Sequence, residues 1–401
     1  MRFVGGKRWF LAPLLLALVF VQGFGTADSS LNYTNYRQVS TMRLERIQRH
    51  LDKINKPPVM TIESPDGDII DCVHKRKQPA LDHPLLRNHK IQRGPPERPR
   101  VKMLKEDDDH RANKSGAADE GVMRGSWQMW HRNGTRCPRG TIPIRRSQVH
   151  DVLRSKSLFD FGKKKASVSL ARRKDAPDVV SANGHEHAIA YTGSSQEVYG
   201  AKATINVWDP IHPSGQRVQS IPDMVALGII RRLRSQQHRS WVAGQSGALW
   251  VAIGAAISPV SSYTGNQYDI SILIWKDPKL GNWWMSFGDN TLVGYWPAEL
   301  FTHLADHATM VEWGGEVVNS RASGEHTSTQ MGSGHFAEDG FGKASYFRNL
   351  EIVDSDNSLS SVQSISALAE NTNCYNIKSS YNNEWGTHFY YGGPGRNPQC
   401  P

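Results

Sequence analysis

Apolar positions recur along this chain in two rhythms. Between residues 28 and 60, Tyr36, Val39, Leu44, Ile47, Leu51 and Ile54 return at near-helical spacing, which predicts an amphipathic helix. Pro57-Pro58 ends it, because proline lacks the N–H a helix needs. Ile62, Asp66-Gly67 and Ile69 to Cys72 predict a strand with a tight turn. From about 183 onwards, short β-branched and aromatic stretches alternate with Gly, Asn, Ser and Asp turns. Ala201–Trp208, Trp250–Ile257, Tyr268–Trp275, Trp283–Phe287, Met310–Val318, Lys343–Val353 and Phe389–Tyr391 are strand-like. Many short strands and few helices predict an all-β fold, an antiparallel β-sandwich, preceded by a smaller α+β domain.

The stretch from about 73 to 124 breaks both rhythms. It is charged and proline-rich, with His74-Lys75-Arg76-Lys77, Pro95-Pro96-Glu97-Arg98-Pro99-Arg100 and Glu106-Asp107-Asp108-Asp109. Such a segment cannot bury enough apolar surface to fold alone, so parts of it are expected to be extended or mobile. Order returns over Gln128–Arg146. Lys163-Lys164-Lys165 and Arg172-Arg173-Lys174 follow, exposed basic runs suited to processing or to a solvated charged face. These shifts divide the chain into 1–27, 28–165, a basic linker over 166–182, and 183–401.

The first of these segments is an address. Arg2, Lys7 and Arg8 precede an apolar run from Leu11 to Phe20, and Gly25-Thr26-Ala27 ends it in small residues. The run is shorter than the roughly 20 residues a bilayer span needs, so 1–27 reads as a signal peptide. The protein is therefore expected to be secreted, to the extracellular space or cell wall, or to a vacuole, with no membrane attachment after cleavage. Asn32, Asn113 and Asn133 begin N-glycosylation sequons. A secretory route also favours paired cysteines, and the four present are expected as Cys72–Cys137 and Cys374–Cys400, one bridge per domain. The net charge of +10 admits nucleic acid or acidic polymers as partners. Secretion counts against nucleic acid.

The candidate chemistry lies in carboxylates. Met310-Val311-Glu312-Trp313-Gly314-Gly315-Glu316-Val317-Val318 alternates as a strand, which puts Glu312, Gly314 and Glu316 on one face and Trp313, Gly315 and Val317 on the other. Four strand residues separate the two glutamates by roughly 13 Å. They cannot share one water, so a catalytic pair needs a partner from another strand; the plain alternative is that both face solvent. His185-Glu186-His187 is not an H-E-x-x-H zinc helix; a strand would put both histidines on one face, but no third ligand is evident, so no metal and no cofactor are expected. No G-x-S-x-G elbow, phosphate loop or dinucleotide fingerprint occurs.

Several stretches carry a resemblance. Ile70-Asp71-Cys72-Val73, Gln78 to Leu85 and Cys137 to Arg146 look like an activation propeptide. His187-Ala188, Tyr199 to Ala203, Tyr268 to Pro278, Glu312 to Asn319, Gln330 to Gly334, Gly342-Lys343-Ala344 and Tyr390 to Gly395 look like a catalytic domain. Together they resemble the plant neprosin family of secreted glutamic peptidases. The resemblance implies that 28–165 is an activation propeptide and 183–401 a catalytic β-sandwich. It also implies a monomeric zymogen whose propeptide occupies the cleft, and proline-containing peptides or proteins as substrates, cut after proline at acidic pH. Acidification would then weaken contacts between cleft carboxylates and propeptide residues such as Arg87 and Arg93. Of the two catalytic glutamates implied, one lies in the Glu312–Glu316 strand, with Glu316 favoured and Glu312 kept open.

The other family glutamate belongs to an I-E-A-G-W-Q-V motif that this chain lacks. Instead, 216–250 is aberrant, with a basic stretch from Gly228 to Arg239. Codons exist for Gln236 to Trp250 that, read one nucleotide later, spell N-S-I-E-A-G-W-Q-V-S-P-E-L-Y. A shifted frame or mis-spliced gene model, rejoining the family near Val251, is expected, leaving the sandwich truncated and the activity impaired. A family cysteine pair is missing from the same region. The alternative is a catalytically dead secreted homologue that binds peptides or acidic cell-wall polymers.

Overall fold

The computed structural model describes residues 40–101, 127–153, 158, 161, 184–193, 197–210, 242–243, 251–288, 290–302, 304–319 and 324–401. Residues 1–27, Asn32, Asn113, the basic stretch 166–182 and nearly all of 216–250 lie outside the described residues. The chain divides into two units, Met1–Arg46 and Ile47–Pro401. All the strands belong to the second.

The N-terminal part is small and α+β. Helix α1 (Thr41–Ile54) buries Ile47 and Leu51 against Val152 of α2 (Val149–Leu153). Strands β1 (Pro58–Glu63) and β2 (Ile69–His74) pair antiparallel across the Asp66-Gly67 turn, where Gly67 takes φ 88° and the Ser64 N–H bonds the Asp68 carbonyl. A third strand, β4 (Thr141–Arg145), completes the sheet on β2. The Cys72–Cys137 disulfide staples β2 to the segment before β4, among Ile62, Ile70 and Trp130. Arg145 lies between Asp68 and Asp151, and Arg146 pairs with the buried Asp71.

The C-terminal part is a sandwich of two antiparallel sheets. The larger has the order β15–β16–β12–β6–β8–β9–β10–β7. Its strands are β6 (Gly200–Asn206), β7 (Val242–Ala243), β8 (Asp269–Lys276), β9 (Trp283–Phe287), β10 (Thr291–Trp296), β12 (Ser345–Val353), β15 (Asn376–Asn382) and β16 (Gly386–Gly392). Beside β12 lies β13 (Ser358–Ser361), which takes up the two-residue β3 (Arg100–Val101) in parallel. The smaller sheet has three strands in the order β11–β5–β14: Glu312–Val318, His185–Tyr191 and Ser366–Ala369.

One core joins the two sheets. Ala188 and Ala190 of β5 and Trp313 and Val317 of β11 meet Ala201, Ala203, Ile205, Ile270, Ile272 and Ile274 of the larger sheet. Alternation along β8 then sends Leu273 and Trp275 to the other side, where they form a second cluster with Trp284, Leu292 and Tyr295. That face is covered by the charged, proline-rich segment 78–101. Ala80 and Leu86 pack into the cluster, the Trp275 indole donates to the Glu97 carbonyl at 3.2 Å, and the Gln92 amide donates to the Tyr295 hydroxyl at 2.8 Å. A segment too polar to fold alone is ordered by the aromatic surface it crosses.

The predicted strands over 201–208, 268–275, 283–287, 310–318, 343–353 and 389–391 are present as β6, β8, β9, β11, β12 and β16. Residues 251–257 are not a strand. Gly254 turns the chain at φ 82°, and the neighbouring backbone groups bond Pro143, Arg145 and the Gln128 side chain instead of a ladder. This segment is the seat of the N-terminal domain, with Ala252 and Ala255 in the same cluster as Cys72 and Trp130.

Candidate active site

Strand β11 is built to lie close to its neighbour. Gly314, at φ 143°, has no room for a side chain against the Ala188 carbonyl, and a Cβ on Gly315 would come 2.6 Å from Met331 and 2.9 Å from Tyr391. The Gly-Gly step therefore lets β11 settle onto β5 and the core beneath it. Trp313, wholly buried, and Val317 fill that core. Glu312 and Glu316 project from the opposite face, as the alternation predicts.

The register sets Glu316 opposite His187 and Glu312 opposite Tyr191. Glu316 Oε1 lies 2.6 Å from His185 Nδ1 and 3.4 Å from His187 Nε2. His187 is itself 1% exposed, and its Nδ1 is 2.9 Å from Glu370 Oε2. The same Glu370 oxygen accepts the His187 backbone N–H at 2.7 Å. Glu370 follows β14 directly, so all three strands of the small sheet contribute to one chain of charge: His185, Glu316, His187 and Glu370. Glu312 is buried four residues away on the same strand face.

Glu186, between the two histidines, points the other way. Its carboxylate accepts from Asn319 Nδ2 at 2.9 Å and lies 2.9 Å from His326 Nε2. Burial, followed by the Glu186 charge, raises the pKa of the neighbouring Tyr375 phenol. This network ties the segment leading to Gln330 and Met331 onto β5 and has the marks of a structural brace. His326 also stands near Cys374 and Cys400, but those sulfurs form a disulfide and are not thiolate ligands.

Sequence reasoning put Glu312 and Glu316 on one face, and the structure shows them there. It placed His185 and His187 on one face without a partner; their partner is Glu316. Glu370, Asn319 and His326 were missed, because only the tertiary fold brings them to β5, from 183, 133 and 140 residues away. The sequon residue Asn133 is exposed in a turn of the N-terminal domain. Segment 78–101 meets the aromatic face of the large sheet, on the far side of the sandwich core from Glu316. Arg87 and Arg93 on it are exposed.

Two family models match the chain: the neprosin activation peptide over residues 61–191 and neprosin over 245–394. The chain belongs to the neprosin family. Both Glu312 and Glu316 fall in the neprosin match, and His185 and His187 fall in the last residues of the activation-peptide match. Residues 192–244 lie between the two matches, and His238-Arg239, where a shifted frame is expected, fall inside that gap. A neprosin chain with its activation peptide suggests a peptidase made as a zymogen.

Proposed function

We propose that this chain is a secreted glutamic endopeptidase precursor of the neprosin type. In this reading it cleaves after proline at acidic pH and is impaired in this form because the partner of its remaining catalytic glutamate is missing. The observation that carries the reading is the placement of Glu316. It sits inside the neprosin match, turned away from the core, in a polar cluster rather than in open solvent.

The reaction needs two carboxyl groups in opposite states. One, ionised, takes a proton from water as its oxygen attacks the peptide carbonyl carbon. The other, protonated, hydrogen-bonds the developing oxyanion and delivers a proton to the departing amine, so that the C–N bond breaks and two chain ends form. Acidic pH suits this pairing, since one carboxyl must keep its proton while its partner does not. In this chain Glu316 supplies one group. Glu312 cannot supply the other, because roughly 13 Å of strand separates them. The missing group corresponds to the Ile-Glu of the shifted frame.

The signal-like residues 1–27 and the exposed sequon at Asn133 support a secretory route. Among the described residues no helix is long and apolar enough to cross a membrane. The experiment is direct: incubate the acid-treated chain with a proline-containing peptide and identify the products by mass spectrometry. Cleavage after proline at acid pH, weak compared with a chain carrying the restored I-E-A-G-W-Q-V frame, is expected. Equal activity in both, or cleavage elsewhere, overturns the reading.

One observation favours a second reading, a dead homologue that holds peptides. The aromatic face of Trp275, Trp284 and Tyr295 receives a proline-containing segment of the chain's own activation peptide. Once that segment leaves, the face is a ready platform for another proline-containing chain. Retention of a proline-rich peptide by chain that shows no cleavage, before and after frame correction, would favour this reading. Salt-sensitive retention on pectin would point to acidic wall polymers instead.

A further inference from the structure

We propose that Glu370, acting through His187, holds Glu316 as the ionised carboxylate. Glu316 is then the general base of the reaction, and His187 and Glu370 are its positioning residues. The inference rests on the reading of Glu316 as catalytic and adds which of the two roles it plays.

The geometry is that of one imidazole between two acids. His187 Nδ1 is 2.9 Å from Glu370 and Nε2 is 3.4 Å from Glu316, the second an ion-pair contact longer than a regular hydrogen bond. A neutral ring has one donor nitrogen and one lone pair, so one of the two carboxylates would face a lone pair. Only the imidazolium presents N–H to both. Burial alone disfavours that charge, but two opposite charges within contact distance favour it, and a half-satisfied arrangement in a place this dry is costly. The Glu370 carboxylate cannot swing away cheaply, because its Oε2 also accepts the His187 backbone N–H.

The consequence for Glu316 follows from the groups around it. From β5 it meets the His187 ring and, at 2.6 Å, His185 Nδ1; from its own strand Glu312 shares its face; from the end of β14 Glu370 reaches it through His187. The His185 hydrogen bond and the positive charge of the His187 ring, an ion-pair contact rather than a hydrogen bond, both favour the charged form of Glu316. A carboxylate held ionised is prepared to take a proton from water, not to give one. The acid of the pair is then the glutamate that the shifted frame removes.

The test uses the full chain with 15N-labelled histidine and reads ring nitrogens by NMR at a series of pH values. At neutral pH both His187 nitrogens are expected in the protonated range, with a titration midpoint at least about one pH unit above that of an exposed histidine. Glu370→Gln is expected to lower that midpoint by about one unit or more, and Glu370→Asp to restore most of it. Glu316→Gln gives a second, independent lowering, which guards against misfolding of either variant. A neutral single tautomer of His187 in the parent at neutral pH overturns the proposal, as does a midpoint unmoved by both glutamine variants. If the spectra behave as expected but Glu316→Gln leaves peptide cleavage intact in the frame-restored chain, the charge relay stands and the catalytic reading of Glu316 falls.

Discussion

The hydroxyl of Tyr295, on the large sheet, lies 2.8 Å from the Gln92 backbone nitrogen and 2.8 Å from His89 Nε2. Two groups of the activation peptide are thus satisfied by one buried phenol of the neprosin match. Removing only the oxygen, by Tyr295→Phe, leaves both without their partner. The cost is about 1–3 kcal/mol, carried by the contact of the segment with the sheet. Faster hydrogen exchange over residues 86–97 and faster proteolytic removal of the peptide are expected, with the sandwich intact. Unchanged exchange in this segment would show that Tyr295 does not hold it.

Acid should loosen the N-terminal domain before the sandwich. Burial favours the neutral form of Asp151, but hydrogen bonds from His150 and Arg145 outweigh it and hold its pKa well below the ordinary 3.8. A carboxylate depressed on folding adds stability that is present above its unfolded value and lost as the pH falls below it. Denaturation midpoints of the N-terminal domain should therefore begin to drop as the pH falls through about 4 and keep dropping to the most acidic conditions reached. Asp151→Asn should start lower and lose less across that interval. A variant with the parent's acid sensitivity would place the effect elsewhere.

The Gly-Gly step of β11 tolerates no side chain. Gly315→Ala would push a methyl against Met331 and Tyr391, an overpacking worth about 1–3 kcal/mol. The expected result is a lower melting temperature together with changed NMR signals of His187, since β11 moves relative to β5. An alanine variant as stable as the parent would mean that β11 lies less tightly than the structure shows.

Much of this was legible from residue order, for identifiable reasons. The period-two pattern of Glu312–Val318 placed both glutamates on one face, and β-branched runs such as 269–276 declared themselves as strands. Strand β14, Ser-Ala-Leu-Ala, has no such pattern and is held by its pairing with β5. Without it Glu370 could not be connected to His187. The stretch 251–257 misled in the opposite sense: its apolar residues are buried under the N-terminal domain, which periodicity cannot distinguish from burial in a sheet. The charged segment 78–101 gave no sign of its partner, because what orders it is the aromatic face of a sheet made nearly two hundred residues later.

The most direct test of the account is peptide cleavage by a chain in which the 216–250 frame is restored, with and without Glu316→Gln, after acid activation. The restored chain is expected to cut a proline-containing peptide after proline, and Glu316→Gln to lower kcat by about a hundredfold or more. Full activity of the Glu316→Gln chain would contradict the account.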